Sequence, residues 1–472
     1  MPAIRLIAIL LLPVLIAWTI PTYAEDASSA AISDSSDKSH TTSDISDIET
    51  QLRIMDRQIL LELLNLAEFN VQYQQNINHC ARWRKILYPI GQEAGYAGFL
   101  GFSASDISQR GRAWNNLKLV SPTTIKRGLS SATVGSLLGA SSSMIELLAD
   151  GAETLSANRK GYSIKESVAF VRSKVERVDE MLARRHELMT ALESTATNNE
   201  LLDLKEQLLK YERDRLVYEF KRWSAHSRGY AWYKNAFYVN NVAVNMARFT
   251  AVQLGFKSFT APSCNGRIGP ILISAACVAG IAPAASSAVG SLMQHHHMKS
   301  MSRSLPVTPF LSDQEAKKKF ERLAELLSND EAQGHRNLIA AELVRLREEK
   351  IGLDTLIYHE EKNINRLRRV AGQQSIAAPI LSTAGMASGI LSTVGYYGYK
   401  RHPLITNKLS LCGDSALIPA EGIALFLTPA AAIVAGLYEH DLKKKNEHPD
   451  QLFAKRLKDL RTLETILTEI SH

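Results

Sequence analysis

AGQQSIAAPILSTAGMASGILSTVGYYGY, residues Ala371–Tyr399, carries no charged side chain and is bordered by Arg368-Arg369 and Lys400-Arg401. About 20 apolar residues suffice for a helix to cross a bilayer, so this stretch is long enough to span one. Gly385 and Gly389 stand four apart on one helix face, a small-xxx-small step that lets a second backbone approach closely. The step predicts a partner helix. One follows at Gly422–Tyr438, GIALFLTPAAAIVAGLY, across a polar and basic loop, so the expected unit is an apolar helical hairpin.

Two further hairpins of this kind precede it, and each follows a segment with helical seams. Ser163-Ile-Lys-Glu166 and Ser312-Asp-Gln-Glu315 have the form of capping boxes, as has Ser46-Asp-Ile-Glu49. Behind Ser163, the residues Ile164, Val168, Val171, Val175, Val178, Leu182, Met189 and Leu192 follow a nearly unbroken heptad spacing, the pattern by which helices pack knobs into holes. A break is expected at 195–199, after which Leu201, Leu204, Leu208, Tyr211 and Tyr218 resume the seam in an antiparallel partner. The third segment repeats the arrangement with Phe320, Leu323 and Leu327, then Ile339, Leu343, Leu346, Leu353, Ile357, Ile364 and Leu367. The first has one seamed helix only, with Ile48, Leu52, Met55, Ile59, Leu66, Phe69 and Tyr73.

The predicted fold is therefore all-α, with long antiparallel coiled-coil hairpins alternating with Gly/Ala-rich apolar hairpins in three repeats. Pro122 to Pro270 is a spacing of 148 residues, whereas Ser163 to Ser312 and Pro270 to Pro419 are each 149, so two kinds of landmark share one period. The units expected are 46–162 (incomplete), 163–311 and 312–442, followed by a C-terminal helix over 443–472. There Phe453, Leu457, Leu460, Leu467 and Ile470 form an orphan seam expected to complete the first unit by packing on 46–78.

Residues 1–24 read as a secretory signal, with Arg5, an apolar run Leu6–Ile20, and small residues Thr22 and Ala24 before a cleavage point at Glu25. Residues 25–45 are Ser- and Asp-rich and form an acidic leader too poor in apolar residues to order itself. The expected location is the membrane or periplasm of the cell envelope. Gly128–Ile145, Ile268–Gln294, Ala371–Tyr399 and Gly422–Tyr438 are uncharged spans. The first arms of the two earlier hairpins, Ile90–Phe102 with Glu93 and Ala236–Phe256 with Arg248, span only with help from neighbours. Soluble helices packed through small residues are the alternative. The loops inside the hairpins are basic: Arg110, Arg112, Lys118, Lys126 and Arg127 in the first, Lys257 and Arg267 in the second, Lys400, Arg401 and Lys408 in the third. If the hairpins span, these loops face the cytoplasm.

The composition, 45% hydrophobic and 22% charged, fits a folded and mainly helical protein. A formal net charge of +7 is small for this length, and the charges alternate along helices, so a nucleic-acid partner is not expected. Chemical motifs are scarce. His295-His296-His297 lacks neighbouring Cys or carboxylate ligands and reads as a solvated or interfacial cluster rather than a metal site. Arg185-His186-Glu187 reads as surface charge. Cys264 and Cys412, each in a loop before a proline, are a possible disulfide in an oxidising compartment, and Cys277 is read as packing. No catalytic, cofactor or metal residues and no small-molecule substrate are expected. The partners implied are membrane lipid and, through the coiled coils, another protein or a second copy of the chain. The function expected is a non-enzymatic envelope scaffold, with a pore-forming or translocating protein as the alternative.

Overall fold

The long apolar seams and the near absence of strand-like alternation dictate helices, and among the described residues every extended element is one. The computed structural model describes residues 43–77, 82–193, 200–307, 311–328, 379–446 and 448–469. The secretory signal, the leader up to residue 42, the break at 195–199, the seam at 339–367, Cys80 and Ile470 lie outside them. Contacts divide the chain after Glu49. Of the first unit only residues 43–49 are described, as the opening turns of α1 (Ser43–Ile77). The packing that follows is that of the second unit.

One end of this unit is built from long charged helices: most of α1, α4 (Ile164–Glu193), the first half of α5 (Glu200–Lys257), α7 (Asp313–Ser328) and α10 (Pro449–Glu469). The α4 seam is buried from Val168 to Leu192, and as far as Leu182 it joins Ile59, Leu63, Leu66, Leu208 and Phe220 in one core. The Ser312 capping box forms in full, and that at Ser163 forms in half. At Ser163 and Ser312 the hydroxyl accepts from the Glu166 and Glu315 amides at 3.3 Å, and at the second the Glu315 carboxylate accepts from the Ser312 amide at 2.9 Å. The helix expected to open at Ser46 begins already at Ser43; the last three residues assigned to the leader are helical.

The orphan C-terminal seam lies against α1. Arg461 pairs with Glu68 at 2.9 Å, and Arg57 donates to the Thr468 carbonyl at 3.2 Å, so the two helices run antiparallel. Phe453, Leu460, Leu463 and Leu467 are buried there.

The other end consists of three hairpins of small-residue helices. These are α2 (Arg82–Arg112) with α3 (Pro122–Ala157), the second half of α5 with α6 (Asn265–Ser304), and α8 (residues 379–398) with α9 (Pro403–Lys444). Within the first, a Cβ on Gly98 would stand 2.7 Å from the Ser131 carbonyl oxygen and one on Gly135 would stand 2.8 Å from that of Gly95. A Cβ on Gly229 would lie 2.9 Å from the Gly290 carbonyl across α5 and α6. Backbones this close have room for hydrogen only.

Neighbouring hairpins join in the same way, α3 to α5 through Gly139 and Asn245, α6 to α8 through Gly269 and Gly389, and α9 to α2 through polar contacts described below. The six helices therefore close in a ring. Gly385 and Gly389 do meet a helix, but it is α6, through Ala276, Ile273 and Gly269. The expected partner, the following arm, instead meets α8 through Ser388, whose Cα would be 2.8 Å from a Cβ on Gly413.

Two expectations on boundaries change. The stretch 403–421, expected to be a loop, is helical, because Pro403 opens α9 at a position where its missing amide costs nothing. Cys412 is consequently an exposed helix residue; Cys264, Cys277 and Cys412 are free thiols. The prolines used to align the repeats also occupy unlike places, since Pro122 opens α3 while Pro270 and Pro419 lie inside α6 and α9.

Two helices run from the ring into the core of the charged end: α6, which brings Met301 there, and α5. With 58 residues, α5 is about 87 Å long at 1.5 Å per residue. The turn that sends the chain back from α3 into α4 is made at Gly161, whose φ of 84° is a left-handed value available to glycine without a Cβ clash.

Candidate functional site

The interior of the hairpin ring carries a polar stripe beside two small apolar clusters, Phe99 with Leu129, Ala132 and Val252, and Leu381 with Ala384, Ala420 and Ala424. On α2, Tyr88, Gln92, Tyr96, Phe99, Ser103, Asp106 and Arg110 recur at steps of three and four, so they form one stripe down a helix face. On α9, Asn407, Ser410, Asp414 and Glu421 do the same. The two stripes meet antiparallel. Asn407 donates to the Arg110 carbonyl at 3.2 Å, Arg110 faces Asp414 at 3.8 Å, and Ser103 donates to Glu421 at 3.1 Å.

Two charged layers result. In the first, Arg110 pairs with Asp106 one turn before it and faces Asp414, which also accepts from Ser388 of α8 at 2.8 Å. One guanidinium thus serves two carboxyl groups, with Asp106 1% and Asp414 8% exposed. In the second layer Glu421, 3% exposed, feels the charge of Arg248 on α5, whose guanidinium lies 4.9 Å from the Phe99 ring centre. The same charge reaches Tyr96, as does Glu93.

Beyond these, Gln92 donates to the Gly139 carbonyl at 3.0 Å and to Ser142 at 2.9 Å, and Asn241 donates to the Tyr88 hydroxyl at 2.6 Å. Lys234 and Asp150 pair at 3.0 Å where α5 passes α3. Glu93 and Arg248, the two charges that interrupted the sequence of the first arms, are thus inside the ring, among the neighbours such groups require.

The outer face is the reverse. Phe426, Leu148, Leu292, Leu437, Ile281 and Ile433 are 61–79% exposed. Three helical stretches, within Pro122–Leu192, Pro262–Ser304 and Pro403–Leu427, are long and apolar enough to cross a membrane.

The charged end holds a different buried cluster. Arg185 is fully buried in the α4 seam, not on the surface, and donates to Asp56 at 2.5 Å, to Glu206 at 3.2 Å and to the Leu202 carbonyl at 3.2 Å. Its neighbour His186 is exposed and lies 3.4 Å from Glu206. Burial alone would raise the Glu206 carboxyl, but Lys210 at 2.7 Å, together with Arg185 and His186, outweighs it and holds the group below its ordinary value. Tyr73 is pushed up to about 12 by burial; its hydroxyl meets Ser224 at 3.0 Å, and Ser224 meets the His297 ring at 3.1 Å. His297 therefore belongs to a hydrogen-bond chain between α1, α5 and α6, while His295 and His296 are exposed. No cluster of His, Cys, Asp and Glu suited to a metal occurs among the described residues.

The missed residues carried a visible sign. Arg185 occupies the seam position three after Leu182 and four before Met189, and the α2 stripe has the same spacing as an apolar seam. The chain matches no protein-family model, no curated protein and no solved structure.

Proposed function

We propose that this chain is an exported, membrane-anchored helical scaffold of the cell envelope, without enzymatic activity, whose hairpin ring sits in the bilayer and whose charged helices project to bind a protein partner or a second copy. One observation carries the reading: the ring turns large apolar side chains outward and gathers its polar ones inside. That distribution suits lipid, where polar groups must be met by other helices. In water an outer surface so apolar would drive association. The three hairpins support a threefold repeat of coiled-coil and apolar units, and residues 1–24 supply the export route.

Alkaline carbonate extraction of membranes from cells expressing the full chain tests this. Retention in the pellet, with a mature N-terminus at Glu25, is the expected result. Release into the supernatant refutes membrane anchoring.

A second reading is favoured by the meeting of the α2 and α9 stripes: a pore or translocation path along Ser103, Asp106, Asp414 and Glu421. Permeabilisation of vesicles holding the purified chain would support it. The scaffold reading expects sealed vesicles, because Arg110 and Arg248 already engage the buried acids.

A further inference from the structure

We propose that the hairpin-tip end of the ring is a docking surface for acidic phospholipid headgroups. The proposal rests on the membrane reading and adds to it a lipid class and a place on the molecule.

The three tips, residues 113–121, 258–264 and 399–402, each join the two arms of one hairpin and lie at one end of the ring, where contacts link the first to the second, the second to the third and the third to the first. They are tied together there. Lys126 of the first hairpin lies 5.1 Å from the ring centre of Phe259 in the second, and Lys408 of the third lies 4.6 Å from that of Trp114 in the first. Tyr397 donates to the Gly266 carbonyl at 3.3 Å.

Charge is distributed unevenly. Residues 107–128, 249–270 and 392–413 contain no Asp or Glu, yet they hold five, two and three Lys or Arg side chains, ten in all. The whole chain has a formal net charge of only +7, so the remainder is slightly acidic. Eight of the ten are exposed, all but Arg110 and Lys408, and none of the eight makes an ion pair among the described residues. At the opposite end, Lys174, Arg177, Arg185, Arg213 and Arg322 each meet an acid. The tip cations are thus a field without an internal counter-charge.

Large apolar and aromatic side chains are set between them. Trp114, Leu119, Phe259, Tyr397 and Tyr399 are 38–65% exposed. Amphipathic rings beside Lys and Arg are what the headgroup layer of a bilayer accommodates. A purely polyanionic partner in water has no use for Leu119 or Phe259. Acidic lipid satisfies both, the phosphate meeting the cations and the acyl boundary meeting the rings.

The test uses the full chain reconstituted into phosphatidylcholine vesicles containing a minor fraction of either brominated phosphatidylglycerol or brominated phosphatidylcholine. Quenching specific to Trp114 is read as the difference between the parent and Trp114→Phe. Brominated phosphatidylglycerol should quench severalfold more than the same fraction of brominated phosphatidylcholine. The excess should vanish in 0.5 M salt, where surface charges are screened within a few ångströms.

Replacing Lys118, Lys126, Arg127, Lys400 and Arg401 by Gln should also remove it. At about 1 kcal/mol for each charge, the accompanying fall in preference for acidic vesicles is on the order of several thousand-fold. Lys118→Arg with Lys126→Arg and Lys400→Arg keeps the charge and should keep the preference. Equal quenching by the two lipids in a chain that floats with the vesicles overturns the proposal while leaving the membrane reading intact. A chain that floats with neither vesicle overturns both.

Discussion

Replacing Arg185 by Met separates a buried ion cluster from ordinary surface charge. Met keeps most of the apolar stem that fills the α4 seam between Leu182 and Met189 but removes every donor. Asp56, 2% exposed, then loses the one ion-pair partner it has among the described residues, and the Leu202 carbonyl loses a donor, whereas Glu206 retains Lys210 at 2.7 Å. Breaking a buried pair by removing one member costs about 3–5 kcal/mol. That corresponds to between about two and four powers of ten in the equilibrium for opening the helices. Hydrogen exchange on the full chain should show the loss across α1, α4 and the first half of α5, with the hairpin ring unaffected. The companion variant Arg185→Met with Asp56→Leu and Glu206→Met replaces the whole cluster by apolar groups, and such replacements are often neutral or stabilising by about 1–4 kcal/mol. A loss below about 1 kcal/mol in the single variant, the size seen for exposed pairs, would refute the assignment of Arg185 to the core.

Gly98→Val should separate α2 from α3, since even a Cβ there meets the Ser131 carbonyl at 2.7 Å and the Gly135 Cα at 2.8 Å. Overpacking of this kind costs about 1–3 kcal/mol, and a melting temperature in detergent equal to that of the parent would contradict the close contact. Because its neighbours lower the Glu206 carboxyl, the stability it contributes is fully present above the unfolded value near 4.5 and is lost as pH falls through the lower folded value. Glu206→Gln should therefore flatten the acid limb of the unfolding profile, measured by circular dichroism between pH 5 and 2. Truncation before Pro449 removes Arg461 from Glu68 and uncovers part of the α1 seam. Exchange protection across 50–77 should fall more than across α7, and unchanged protection would sink the intrachain pairing.

The described seams, the Ser312 capping box and the apolar arms were legible from residue order, because each depends on neighbours within a few positions along one helix. Helical periodicity determines which residues share a face, and a cap needs only four residues. What lies opposite a face is a different matter. Gly385 and Gly389 specify a close backbone but not whose, and only packing decided that α6 rather than the adjoining arm supplies it. A stripe at three-four spacing is also silent on whether it looks inward or outward. The polar stripe of α2 faces the ring interior because α9 brings Asn407, Asp414 and Glu421 to meet it, and those partners lie about 300 residues away along the chain. Arg185 follows the same rule, since its burial is tolerable only where Asp56 and Glu206 converge from two other helices. Local periodicity determined the helices and their faces; the pairing of those faces across the chain, and with it the inside and outside of the hairpin ring, was decided by the tertiary structure, because the burial of a charge depends on partners that no local pattern contains.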